Sequence, residues 1–409
     1  MKWAEGIDKL GIGLYLILCV FAIININSVD AKLGSKQLMF FGISLFVGMI
    51  IFFMRTKFFE NMSAIIYVGG VLLLIGLFPF GTEILGQKNW YKFGGFTMQP
   101  VEFAKIGTAL MLANYVSSPD FNLNNRKVLY TVMAIVGIPG IVVLMIPDVG
   151  SLLVFFAFVM ALYREGLSGW LFGIIFVFAA VFLVSIAVNP LYITIAILII
   201  AAIYVFLNFY KIQGNIMPII GIILTVGVLS GLSYSSQYVL TKLPKHQRER
   251  IEVLYKGEKA FRDTSGYNLL YSKTAIGSGG FTGKGYKQGS VTQGKFVPEQ
   301  ETDYIFCTVG EEWGFLGSTI LILCYSIFIG RIYYLAENQK STFNRVFGYS
   351  FASILLIHFA INLGMVMGLF PTVGIPLPFF SYGGSSLLAF SIMTFIFFKL
   401  NYADKNSLV

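Results

Sequence analysis

Residues 295–318, KFVPEQETDYIFCTVGEEWGFLGS, hold five carboxylates within fourteen positions: Glu299, Glu301, Asp303, Glu311 and Glu312. The apolar run TILILCYSIFIG follows directly. Carboxylates are costly near hydrocarbon, so each needs a partner or a task. Glu299 and Glu301 read as loop charges, Glu301 a solvated one. Glu311 and Glu312 enter the next apolar run, where one caps or pairs internally. Asp303 stands at the boundary itself, followed by Tyr304 and Ile305. A partly desolvated carboxylate there can be held as a base near neutral pH.

Other stretches carry ionisable or helix-breaking residues. In QKNWYKFGGFTMQPVEFAKIG, Glu102 and Lys105 lie three apart and share a helix face. They read either as a structural ion pair or as placing Lys105 near a substrate phosphate. Trp90 and Tyr91 also suit plain interfacial aromatics. Asp148 in IPDVGS reads first as a helix cap. GSGGFTGKG looks like a phosphate loop, but Ser278 and Gly285 stand where the Walker pattern needs Gly and Ser or Thr. It reads as a flexible turn, with a backbone-lined anion site as the alternative. INLGMVMGLFPTVGIPLPFFSYGGSSLL breaks helix at Pro371, Pro376, Pro378, Gly383 and Gly384. Such backbone at membrane depth must be buried in protein or line a cavity. His358 and Asn362, one turn apart before it, read as a buried hydrogen-bonded pair.

The elements that must position these residues are membrane spans. The 409 residues are 56% hydrophobic and 12% charged, about half the charge of a soluble domain. The expected fold is an all-α polytopic integral membrane protein. About twelve apolar spans are read, near 10–28, 38–54, 63–80, 100–116, 128–146, 150–163, 167–188, 191–209, 215–233, 304–330, 346–370 and 380–399. Residues 1–233 form the N-terminal transmembrane helices, 234–303 a large extracytoplasmic loop, and 304–409 the C-terminal transmembrane helices. Thirteen Lys and Arg fall in the segments assigned to the cytoplasm. Only Lys32, Lys36, Lys88 and Lys92 fall in the short outside loops. Both termini are therefore expected in the cytoplasm and Asp303 outside. The net charge of +9 reports topology and gives no reason to expect nucleic acid. The first apolar run reads as an uncleaved span. Cys19, Cys307 and Cys324 have no metal or disulfide spacing.

The motifs, in order, resemble the SEDS family (shape, elongation, division and sporulation). The stretches that carry the resemblance are NWYKFGGFTMQPVEFAK, PDVG, HQRERI, AIGSGGFTGKG, FVPEQETDYIFCTVGEEWG and NLGMVMGLFPTVGIPLPFFSYGGSS. The form of SKTAIGSGGFTGKGY and the short termini look nearer to the rod-shape branch. The resemblance implies a peptidoglycan glycosyltransferase of the bacterial cytoplasmic membrane that polymerises lipid II in cell-wall elongation. It implies Asp303 as the essential aspartate, Trp90 as a substrate residue, and Glu102 with Lys105 as the membrane ion pair. Lys105, Arg248 and Arg250 are candidates to neutralise the departing diphosphate. A divalent cation such as Mg²⁺ is compatible, with its requirement open. A class B penicillin-binding protein and other elongation-complex membrane proteins are the implied partners. A lipid II flippase using Glu102, Lys105 and Asp148 is the rival reading. Two departures stand out. Val101 replaces the family serine, and the family usually has ten spans. The surplus pair is expected within 167–233.

Overall fold

The computed structural model describes residues 6–84, 87–94, 96–212, 216–242, 245–264 and 266–406, without the side chains of 84, 171, 172, 175, 176, 179, 183, 211 and 246. Main-chain groups in hydrocarbon must find partners inside their own segment, so the apolar runs fold as helices. In chain order these are Lys9–Val29 (α1), Ala31–Phe53 (α2), Thr56–Ile75 (α3) and Leu77–Phe80 (α4). Three strands follow, Thr82–Ile84 (β1), Gln87–Phe93 (β2) and Phe96–Met98 (β3). Then come Pro100–Val116 (α5), Arg126–Met145 (α6), Val149–Phe155 (α7), Ala157–Arg164 (α8), Trp170–Ala187 (α9), Pro190–Leu207 (α10), Phe209–Ile212 (α11), Ile216–Lys242 (α12) and Lys245–Lys256 (α13). The chain finishes with Gly266–Ser278 (α14), Ser290–Gln293 (α15), Ile305–Glu312 (α16), Gly314–Glu337 (α17), Thr342–Val366 (α18) and Gly384–Asn406 (α19).

A helix stands at each of the twelve apolar stretches. Among the described residues, nine helices are long and apolar enough to cross a membrane. The other three stretches hold α5, the broken pair α7 and α8, and α9. The chain is an integral membrane protein, and its all-helical character has one exception. Residues 82–98 form a three-stranded antiparallel sheet, with Thr82 opposite Trp90 and Tyr91 opposite Met98. Gly94, at φ +58°, supplies the left-handed residue between β2 and β3.

The chain divides into two compact units, Met1–Leu167 with Asn268–Val409, and Ser168–Tyr267. These follow contacts rather than the expected topological boundaries at 233 and 303. In the first unit, α18 and α19 are central: 72% and 67% of their most apolar windows are buried. The second unit is built mainly from α9, α10, α12 and α13, and the corresponding figure for α10 and α12 is 6%. α5 is buried almost throughout. It crosses α3 closely because small residues meet there. A Cβ on Gly107 would stand 2.9 Å from the Ile66 carbonyl oxygen, and one on Gly70 would stand 3.0 Å from the Ala104 Cα.

Polar contacts mark the two ends of the first unit. At one end, Arg331 meets Asp8 at 2.6 Å, Arg164 meets Glu337 at 2.6 Å and Arg345 meets Glu165 at 2.7 Å. At the other, Ser28 donates to Glu312 at 2.6 Å and Lys295 lies 3.6 Å from Asp30. The beginning of α1 and the end of α19 share the first end; Asp303 lies at the second.

Candidate active site

Asp303 sits just before α16, and its segment is clasped by the irregular stretch between α18 and α19. The prolines at 371, 376 and 378 prevent that stretch from pairing with itself, so its carbonyls need other donors. Asn362 Nδ2 donates to the carbonyl oxygens of Ile375 at 2.7 Å and Asp303 at 2.9 Å. Ser381 Oγ donates to the Thr302 carbonyl at 2.6 Å and accepts from the Leu377 amide at 2.8 Å. The Tyr382 amide donates to the Glu301 carbonyl at 2.8 Å, and Tyr304 and Thr372 pair their hydroxyls at 2.8 Å. Tyr325 hydrogen-bonds the Pro378 carbonyl. Gln37 of α2 reaches in to the Ser381 carbonyl and the Gly383 amide, both at 3.3 Å.

The main chain around Asp303 is thus fixed on both sides, while the residue is half-buried. Gly374 passes beside the carboxylate at φ +71°; a Cβ there would stand 3.4 Å from Asp303 Oδ2. Only glycine takes this conformation without strain.

Deeper in the unit, Lys105 Nζ lies 2.9 Å from Glu102 Oε1 and 2.8 Å from His358 Nε2, beside the Phe390 ring. The Lys105 and Glu102 side chains are 0% and 2% exposed. A lysine so enclosed has no surface for a diphosphate, which corrects the expectation that it touches substrate. His358 Nδ1 lies 3.0 Å from the Pro376 carbonyl. His358 and Asn362 are therefore each hydrogen-bonded, but to separate partners rather than to each other.

Asp148 caps α7 through the Ser151 amide at 2.9 Å and the Ser151 hydroxyl at 2.7 Å. It also accepts from Asn89 at 3.0 Å, tying α7 to β2 next to the half-buried Trp90. Val101 is 3% exposed, so the apolar replacement of the family serine sits among apolar neighbours. Arg248 and Arg250 lie on α13 of the second unit, where Arg248 stands 3.6 Å from Glu252.

The remaining carboxylates hold a loop. Glu311 pairs with Lys284 at 2.7 Å and accepts from the amides of Val291 and Thr292 at 3.0 and 2.8 Å. Glu312 takes Ser28 and Gln293. The amides of Lys284 and Gly285 donate to the carbonyls of Glu311 and Glu312, each at 3.0 Å. The glycine-rich stretch is accordingly a docked loop, not the flexible turn expected. Its first part is not loop at all: α14 runs through Ser278, because Leu269, Ser272 and Ala275 bury one helix face. An open apolar groove of about 400 Å³ lies between α2, α3, α5 and α19, lined in part by Ile51, Phe58, Phe103 and Ile392. Among the described residues, no three His, Cys, Asp or Glu side chains gather as a metal site.

The family model of FtsW, RodA and SpoVE, described as cell cycle protein, matches residues 7–192 and 174–406. The chain belongs to this family, the SEDS proteins. The peptidoglycan glycosyltransferase MrdB of Escherichia coli (strain K12) is a relative, 28% identical over 365 residues, covering 89% of this chain and 83% of its own. The peptidoglycan glycosyltransferase RodA of Treponema pallidum (strain Nichols) is 28% identical over 369 residues, covering 84% and 83%. Among solved structures, a chain from work on coordination of polymerization and crosslinking by a peptidoglycan synthase complex matches with TM-score 0.71 and 22% identity over 98% of each chain. The rod shape determining protein RodA of Thermus thermophilus matches with TM-score 0.63 and 21% identity over 99% of each. At these identities the structures speak for the fold. The SEDS motifs that lie far apart in sequence thus meet in one part of the first unit: Gln37, Lys105, Asp303, His358 and Asn362 are joined by hydrogen bonds to residues 375–383 or to one another. Sequence reading missed His358 and Gln37 as members of this group. The available signal was a lone histidine on an apolar helix, one turn before Asn362.

Proposed function

We propose that this SEDS protein is a peptidoglycan glycosyltransferase that polymerises lipid II, the undecaprenyl-diphosphate-linked disaccharide pentapeptide, in cell-wall elongation. The observation that carries this reading is the seat of Asp303: a half-buried aspartate on a main chain fixed by Asn362 and Ser381. A general base works only if its oxygen is held within reach of the proton it takes.

In the step itself, a sugar 4-hydroxyl oxygen attacks the anomeric carbon of a second lipid II. The bond from that carbon to the diphosphate oxygen breaks, and the diphosphate leaves with the electron pair. Asp303 takes the hydroxyl proton. Arg248 and Arg250 of the HQRERI motif, on α13 of the second unit, are the residues whose charge would suit a diphosphate. Lys105 acts from behind, as part of the buried group that seats the 375–378 backbone. Trp90 lies at the head of the same unit and is assigned to the sugar. Any Mg²⁺ would rest mainly on the substrate diphosphate, the usual arrangement for this ion, and supply further neutralisation. The apolar groove is suited to a polyprenyl chain.

We assign the end bearing Arg164, Arg331 and Arg345 to the cytoplasm from the distribution of Lys and Arg, with the start of α1 and the end of α19 on that side and Asp303 on the outer side. A class B penicillin-binding protein, the crosslinking partner, and other elongation-complex membrane proteins would meet the product on that outer side. Purified protein given labelled lipid II tests the reading: glycan polymer supports it, and lipid that is moved across vesicles but unchanged would replace it with the flippase.

A further inference from the structure

His358 is 2% exposed in the middle of α18, among apolar side chains, with its ring edge-on to Phe390 at 5.0 Å. A histidine is costly there unless both ring nitrogens are used. They are. Nδ1 faces the Pro376 carbonyl oxygen at 3.0 Å, and Nε2 faces Lys105 Nζ at 2.8 Å. A carbonyl oxygen only accepts, so Nδ1 carries the hydrogen. An ammonium only donates, so Nε2 offers its lone pair. The ring is thus a neutral imidazole in one tautomer, with hydrogen bonds running from Lys105 to His358 to Pro376.

The preceding carbonyl in the chain, that of Ile375, is held by Asn362, one turn further along the same helix. Asn362 also holds the carbonyl of Asp303. α18 therefore carries two successive side chains that grip neighbouring carbonyls, one tied to the Glu102–Lys105 pair and the other to Asp303.

We infer that His358 is a positioning residue for the glycosyl transfer: it locks the 375–376 backbone to the buried Glu102–Lys105 pair, and through Asn362 this lock sets where Asp303 sits. The inference rests on the reading of Asp303 as the base. It requires both ring nitrogens, because either bond alone leaves one end of the lock open.

The test uses the full-length protein in detergent with labelled lipid II, measuring kcat and KM per monodisperse protein. The variants are His358→Phe, which keeps the ring and loses both bonds, His358→Asn, which mimics Nδ1, and His358→Gln, which mimics Nε2. His358→Phe is expected to lose about 10²-fold in kcat, the scale of a misplaced catalytic group, with KM unchanged. The Asn and Gln variants are expected between Phe and wild type. Wild-type kcat in His358→Phe, or in either amide variant, would overturn the inference, as would a loss that falls on KM. If His358→Phe fails to fold, the amide variants decide: both lowered in kcat at constant KM supports the lock. These outcomes are read against wild type. No polymer from wild type sinks the enzymatic reading and the inference with it, whereas normal polymer from wild type and His358→Phe alike sinks only the role of His358.

Discussion

One amide nitrogen of Asn362 serves two carbonyls from separate parts of the chain, that of Asp303 at 2.9 Å and that of Ile375 at 2.7 Å. Asn362 is fully buried, while Asp303 is only half so. The relationship fixes the main chain of a half-buried aspartate to the buried core helix α18.

Asn362→Ala should therefore orphan two carbonyls, at about 1–3 kcal/mol for a buried group left unsatisfied. A lowered thermal unfolding midpoint together with a drop of about 10²-fold in kcat is the expected result. Unchanged kcat in folded protein would mean that Asp303 is seated by other contacts.

Lys105→Met should destabilise strongly, because it leaves Glu102 charged and unpaired at 2% exposure; breaking a buried pair on one side costs about 3–5 kcal/mol. The double variant Glu102→Gln with Lys105→Met removes both charges and should recover most of the lost stability. Because His358 then loses its donor, activity should stay low. Thermal melts and polymerisation assays on the two proteins check both halves. Recovery of activity with stability would reduce the pair to a structural role.

Glu311→Ala should free the glycine-rich loop. The carboxylate is fully buried and holds Lys284 and the amides of Val291 and Thr292. Faster limited proteolysis between residues 279 and 294 is expected, with α1 and α17 still intact by fragment mapping. Wild-type cleavage rates would show that the glycine contacts with α16 suffice to dock the loop.

The helices were legible because their cause is local. Hydrocarbon demands internally satisfied backbone, so the apolar stretches read as helical. The cap at Asp148 was also legible, since Ser151 lies three residues away. The sheet at 82–98 was not: its strands are three to seven residues long and lack a strong alternating pattern. The glycines around Ser278 favour loop, and burial of Leu269 and Ala275 overrides that preference. The Glu102–Lys105 contact was legible, because the two residues are spaced within one helix turn; Asp303 stood out only by its place at a composition boundary. The partner of His358 was not legible, because Lys105 lies 253 positions away in sequence and only the packing of α5 against α18 brings the two together.

The central claim is that Asp303 takes the hydroxyl proton in glycan polymerisation. Asp303→Asn is nearly the same size and keeps the bond from Asn362 to the residue's main-chain carbonyl intact, so folding should be unaffected. With purified, monodisperse protein and labelled lipid II, the wild type should build polymer. The variant should fall by at least the ~10²–10⁴-fold that a general base contributes. Wild-type rates of polymer formation by well-folded Asp303→Asn would contradict the account.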